Sequence, residues 1–222
     1  MKPPRGQIEK LLVVNALHGE ETAHSLARSL KTIADFLGKV TSAEFLSAVI
    51  KDRGRLRRIK QIVTGLDHVG LVTNEPSIAP ARAAMKAAGF DSGYHVFSSK
   101  ILARELGQAM GRRSVPIKVL AARAGSAGGS PVGVEIFMPS SRAIEQVKAW
   151  VRKTGSLHVA FRLKNPACFT EVAHLMEAEK FFAPAFPKAP LTNKEENVTV
   201  LYFDGRYGKQ SLRIEFIASP ED

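Results

Sequence analysis

Four ionisable side chains of this sequence sit in one repeated context. Asp67-His68-Val69, Val134-Glu135-Ile136, Leu157-His158-Val159 and Ile214-Glu215-Phe216 each hold a histidine or glutamate between large apolar neighbours, except where Asp67 takes one flank. In a strand, adjacent side chains point to opposite faces. Val134 and Ile136, or Ile214 and Phe216, therefore reach a core while the glutamate between them faces the other way. On an open surface a single such carboxylate is ordinary. In a confined space, two carboxylates repel each other and resist ionisation. A divalent cation resolves that conflict, and two imidazoles with two carboxylates suit Zn, Ni, Co, Mn or Fe(II). The expected ligand set is His68, Glu135, His158 and Glu215 around one divalent metal ion.

The elements that must carry these residues come in a repeat. From Gly65 the texture turns β-rich, and residues 66–72, 94–98, 116–122 and 132–138 read as strands. An Ala-rich helix over residues 78–88 follows the first strand and stops at Gly89, and a glycine-rich loop at 125–131 separates the last two strands. A helix over 141–152 ends at Thr154-Gly155, and the order then recurs: strand 157–163, helix 166–179, a Pro-rich stretch at 182–190 that obscures one strand, and strands 198–203 and 211–217 joined across residues 204–208. The result is βαβββ twice, with histidine on the first strand and glutamate on the last strand of each module. His68 and His158 are 90 positions apart, Glu135 and Glu215 80. Residues 1–64 form a helical N-terminal extension, 65–155 the first module and 156–222 the second, the modules building one domain.

Within the extension, Ile8, Leu11 and Leu12, then Leu26, Leu30, Ile33 and Leu37, recur at helical spacing, and Thr41 with Glu44 three residues later resembles a capping box. Three short helices are expected, with breaks at His18-Gly19 and Gly38. The chain carries a net charge of +11, densest over residues 51–60. That run either attracts a polyanion or forms a solvated helix end or linker. No aromatic side chain interleaves with it and no zinc-finger spacing accompanies it, so nucleic acid is not the expected partner. No apolar run is long enough to span a membrane and no secretory signal is evident, and the lone Cys168 fits a reducing compartment; a cytoplasmic protein is expected. A small-molecule substrate is the expected partner, and a homodimer is compatible with the sequence.

The phrases Leu66-Asp67-His68-Val69-Gly70-Leu71, Gly133-Val134-Glu135-Ile136-Phe137, Leu157-His158-Val159-Ala160-Phe161 and Leu212-Arg213-Ile214-Glu215-Phe216 resemble strand signatures of the vicinal oxygen chelate superfamily, over residues 65–218. The helices ahead of the first Asp-His strand are more loosely similar to YecM-like proteins. The resemblance implies an α+β fold with paired βαβββ modules in a cup-shaped mixed sheet. It also implies a metal that binds two adjacent substrate oxygens and stabilises an enediolate or enolate. The complete His-Glu-His-Glu set is similar to that of bacterial-type glyoxalase I, which implies a metal-dependent lyase or isomerase with Glu215 as the proton carrier and Glu135 as its pseudo-symmetric alternative. An Fe(II) dioxygenase and a non-catalytic metal- or ligand-binding protein are the competing readings.

Same-face neighbours bear on the substrate. Arg162, four residues beyond His158, and Arg213, two before Glu215, either neutralise a substrate carboxylate or phosphate or are rim charges. His95 and Tyr202 are candidates for lining the cup. His18, His24 and His174 fall on helices or their ends and carry no expected role, and Cys168 reads as a small apolar group.

Overall fold

Residues 5–14, 23–75, 77–124, 132–155, 157–179, 182–193 and 197–219 are described by the structure, a computed structural model. The expected break at His18-Gly19 and the loop at 125–131 lie outside these residues. Among the described residues four helices open the chain, not three: α1 (Arg5–Leu12), α2 (Ala23–Leu37), α3 (Ser42–Val49) and α4 (Arg53–Ile62). The additional helix is the basic run itself. Asp52 caps it by accepting the Arg55 N–H at 2.8 Å, and Leu56, Ile59 and Ile62 give it an apolar face. At α3 the capping box forms as expected: Thr41 Oγ1 accepts from the Glu44 N–H at 3.2 Å, and the Glu44 carboxylate accepts from the Thr41 N–H at 3.0 Å.

The first module comprises β1 (Val63–Val72), α5 (Ile78–Ala87), β2 (Ser92–Ser98), α6 (Lys100–Ala109), β3 (Ile117–Ala124) and β4 (Val132–Pro139). A 3-10 turn (Ser141–Ala143) and α7 (Ile144–Thr154) lead to the second: β5 (Leu157–Leu163), α8 (Cys168–Glu177), β6 (Phe182–Pro184), β7 (Leu191–Asn193), β8 (Val198–Tyr207) and β9 (Gln210–Ala218). The strands form one open mixed sheet in the order β2-β3-β4-β1-β5-β9-β8-β6, with β7 also on β8. β4 runs parallel to β1, β9 parallel to β5, and the modules join through the antiparallel β1–β5 pair. The repeated βαβββ plan and the helical extension are thus present as the sequence reading expects.

Three local features depart from that reading. α6 occupies residues assigned no element, although Leu102 and Leu106 lie four apart on its buried face and Ser99 Oγ accepts the Leu102 N–H at 3.3 Å. The Pro-rich stretch yields two short strands. The β8–β9 turn falls at Gly208 (φ +60°) and Lys209, so Asp204-Gly205 stays within β8, where Asp204 faces Arg213 across the ladder and binds it.

Strand alternation sorts the sheet into two faces. Val69, Leu71, Val134, Ile136, Val159, Phe161, Ile214 and Phe216 join the main core with α1–α5 and α8. The extension belongs to that core: Phe36 packs on Phe45 at 5.9 Å and Phe45 on Phe161 of β5 at 5.5 Å between ring centroids. Arg55 of α4 pairs with Glu179, two residues beyond α8, and Arg58 with Glu171 in the first turn of α8, so part of the basic run is matched within the chain. The opposite face is covered over part of its area by α6 and α7, whose Leu102, Leu106, Val147 and Val151 pack with Val72, Val119 and Phe137. No helix among the described residues is long and apolar enough to cross a membrane.

Candidate metal centre

The face turned toward α6 and α7 carries all four predicted ligands, and the register shows why they meet. One row across the sheet reads Ala121, Glu135, Gly70, His158, Arg213, Asp204; the adjacent row reads Arg123, Gly133, His68, Ala160, Glu215, Tyr202. In each row a glutamate and a histidine flank a residue with little or no side chain, Gly70 or Ala160. A pseudo-two-fold relation between the modules exchanges the rows. The missing bulk at Gly70 is required: a Cβ there would lie 1.9 Å from His158 Cε1. Gly133 makes similar room, since a Cβ there would lie 3.1 Å from the His68 Cβ.

The polar atoms converge. His68 Nε2 lies 3.0 Å from His158 Nε2, and Glu215 Oε2 lies 3.3 Å from the first and 3.2 Å from the second. Glu135 Oε2 is 3.7 Å from His68 Nε2. His68, Glu135 and His158 offer one ligand atom each, all within 4.8 Å of one another. Among the described residues, Glu215 Oε2 is the buried side-chain oxygen that receives no hydrogen bond. A buried carboxylate oxygen left without a donor, aimed at two imidazole nitrogens, fits a cation better than a packed core.

A fifth residue orients the site, and strand alternation alone hides it. Between Leu66 and His68 the β1–β5 register slips by one, so Asp67 forms a bulge and its side chain returns to the His68 side. His68 Nδ1 donates to Asp67 Oδ1 at 2.9 Å, which fixes the ring so that Nε2 faces the other ligands. Arg162 Nε donates to Asp67 Oδ2 at 3.0 Å. Arg162 is thus a rim residue that supports the orienting carboxylate.

The charges of the cluster are strongly coupled. Burial alone pushes His68 down, yet the carboxylates of Glu135 and Glu215 and the bond to Asp67 hold it well above the usual imidazole range. Burial would push Glu215 up, but His68 and His158 hold it down to about 2. His158 is pushed down, chiefly by burial. The site therefore calls for positive charge, which a proton on His68 supplies whenever no cation does.

The remaining predicted residues fall on two sides. Arg213 is buried, not at a rim, and its charge is already matched: Nη1 and Nη2 donate to Glu105 at 2.8 and 2.7 Å, and Nε donates to Asp204 at 2.7 Å. Its guanidinium also stacks over Trp150 and Tyr202. Tyr202 stands edge-on to His158, and burial together with the Glu215 and Glu135 carboxylates holds its phenol protonated far above its usual range. His95 is exposed, stacks on Phe97, and borders a polar cleft of about 350 Å³ with His68, Glu135, Arg123 and Arg162. His174 is exposed on α8, and Cys168 is half-buried and free.

No family model and no curated protein matches this chain. Solved structures resemble its backbone. A selenomethionine methylmalonyl-CoA epimerase superposes with a TM-score of 0.42 at 17% identity, over 72% of this chain and 97% of its own. A triple mutant of 4-hydroxymandelate synthase from Streptomyces coelicolor gives 0.41 at 16% identity, over 69% of this chain and 48% of its own. The open mixed sheet of this chain, flanked by helices and preceded by the helical extension, has the α+β architecture expected from the sequence.

Proposed function

We propose that His68, His158, Glu135 and Glu215 hold one divalent metal ion and that the protein is a metal-dependent lyase or isomerase acting on a small oxygenated substrate. The observation that carries this reading is the convergence of Glu215 Oε2, buried and without a donor, on the Nε2 atoms of both histidines at 3.3 and 3.2 Å. When bound, such an ion supplies Lewis acidity that makes a proton on carbon beside a carbonyl easier to remove. Asp67 keeps His68 in the tautomer that presents Nε2. The glyoxalase analogy gives proton transfer first to Glu215. Burial between two imidazoles argues that Glu215 stays fixed in this chain, whereas the Glu135 side chain, 20% exposed against 3%, borders the polar cleft. Glu135 is accordingly the favoured carrier, taking the proton on a carboxylate oxygen and returning it to the substrate. Tyr202, held protonated, is placed to donate a hydrogen bond next to Glu215.

A two-histidine, one-carboxylate iron site built from His68, His158 and Glu215, with the more exposed Glu135 left free, is the competing reading. The test is elemental analysis of untagged protein beside a His158→Ala, Glu215→Ala variant. About one divalent ion per chain, lost in the variant, is expected. Zinc, nickel, cobalt or manganese supports proton-transfer chemistry, iron with oxygen uptake supports the dioxygenase, and no uptake of any of these ions overturns the proposal.

A further inference from the structure

The side of the site away from Glu135 has a different chemistry. A narrow cleft open to solvent lies under α6 and α7, lined by His158, Ile101, Leu102, Phe137, Trp150 and Leu157. Arg213 and Glu105, which line it, pair with each other, and Asp204 binds Arg213 from outside the cleft. Arg213 is bound by two carboxylates, so Glu105, Asp204 and Arg213 together carry one net negative charge, which opposes entry of a carboxylate or phosphate. Trp150 is a wall shared with an outer groove of about 330 Å³ bordered by Met110 and Ala149. The cleft is thus apolar and aromatic, cation-poor toward ligands, and open to one metal-facing histidine.

We infer that this cleft receives an uncharged aromatic ring of the substrate while the substrate's oxygens face the four-residue cluster. This inference rests on the metal-centre reading and names the substrate class for it. Flat walls supplied by Trp150, Phe137 and Tyr202 favour a ring that stacks or packs edge-on, and Ile101, half-buried at the start of α6, borders it. The pseudo-symmetric side cannot play this part. There Gly133 and Ala121 replace Arg213 and Tyr202, and the charged Arg123, Arg162 and Glu135 border the space.

The chain holds a single tryptophan, so its emission comes from Trp150 alone, and the Ile101→Tyr variant separates binding in this cleft from binding in the outer groove. The test compares benzohydroxamate with acetohydroxamate, two probes with the same two-oxygen chelating head and different tails, binding to zinc-loaded protein by calorimetry and by Trp150 emission. Benzohydroxamate is expected to bind at least about tenfold more tightly and to change Trp150 emission, because its ring leaves water. In Ile101→Tyr, which fills the cleft, that advantage is expected to vanish while acetohydroxamate binding stays the same. Equal affinities in the wild-type protein, or an advantage that survives Ile101→Tyr, would overturn the inference. Failure of the metal reading is seen separately, as absence of zinc uptake. In that case benzyl alcohol decides: saturable change of Trp150 emission, lost in Ile101→Tyr, supports the ring site, and no saturable change overturns it.

Discussion

Gly70 and His158 face each other directly across the β1–β5 pair, and the imidazole occupies the space that any side chain on residue 70 would need. Gly70→Ala should therefore swing His158 out of the cluster while leaving the strand paired. Metal affinity is expected to fall at least about 100-fold with an unchanged far-ultraviolet circular dichroism spectrum. Gly65→Ala, in the same strand with nothing within 4 Å of its added methyl, serves as the control and should bind metal normally.

Asp67 acts through His68. Replacing it with asparagine removes the charge that holds Nδ1–H and frees the ring to turn. Metal affinity should drop roughly 10- to 100-fold in Asp67→Asn. A smaller loss is expected in Arg162→Ala, because Arg162 is half-exposed and supports Asp67 from outside. Equal metal affinity in wild type and Asp67→Asn, measured by chelator competition, would remove Asp67 from the site's design.

Arg213 ties α6 to the second module through Glu105. In Glu105→Ala the buried guanidinium keeps Asp204 and loses its better-buried partner, at a cost of about 3 kcal/mol in urea unfolding. Asp204→Ala should cost less, since that carboxylate is 37% exposed. Adding Arg213→Met to Glu105→Ala should recover part of the loss by removing the stranded charge. No recovery would mean that α6 is held by packing alone.

Glu215, His68 and His158 set the pH response of the metal-free protein, the two histidines with opposite signs. Glu215 has its folded value depressed from 4.5 to about 2, so its contribution is present above 4.5 and lost as pH falls toward 2. His68 is raised above its ordinary 6.5, so its contribution is present below 6.5 and lost as pH rises through the folded value. His158, lowered by burial, contributes above 6.5 and loses that contribution as pH falls below it, so thermal stability of stripped protein should drop toward pH 2 through Glu215 and His158 and decline on the alkaline side as pH rises through the folded His68 value. Metal should abolish the alkaline decline, because the cation replaces the His68 proton, and metal affinity should weaken with acidity for the same reason. A stripped protein whose melting temperature keeps rising from pH 6.5 to 9 would contradict the coupling of His68 to the two glutamates.

Much of the candidate site was legible because ligand and flanks are neighbours in sequence. Val134-Glu135-Ile136 reveals its alternation without knowledge of any partner strand. Asp67 was visible only as an interruption of that alternation, since a bulge depends on the opposing strand. The same limit hid the role of Asp204: Asp-Gly reads locally as a turn, and only its pairing with Arg213 keeps it in a strand. α6 was missed for a different reason, a short apolar spacing weak beside the strands around it, and with it went Glu105.

By itself, the sequence determined which residues can bind a cation, which strands carry them and that the pattern occurs twice, because side-chain type and period-two alternation are local properties. Tertiary structure decided that Gly70 and Ala160 leave the gaps in which the four groups meet, that Asp67 turns inward, and that Arg213 is matched by Glu105 and Asp204. Those outcomes follow from register between strand residues up to 100 positions apart and from a helix laid over the sheet face. Such relationships are set by the packing of the whole chain, and no short window of residues contains them.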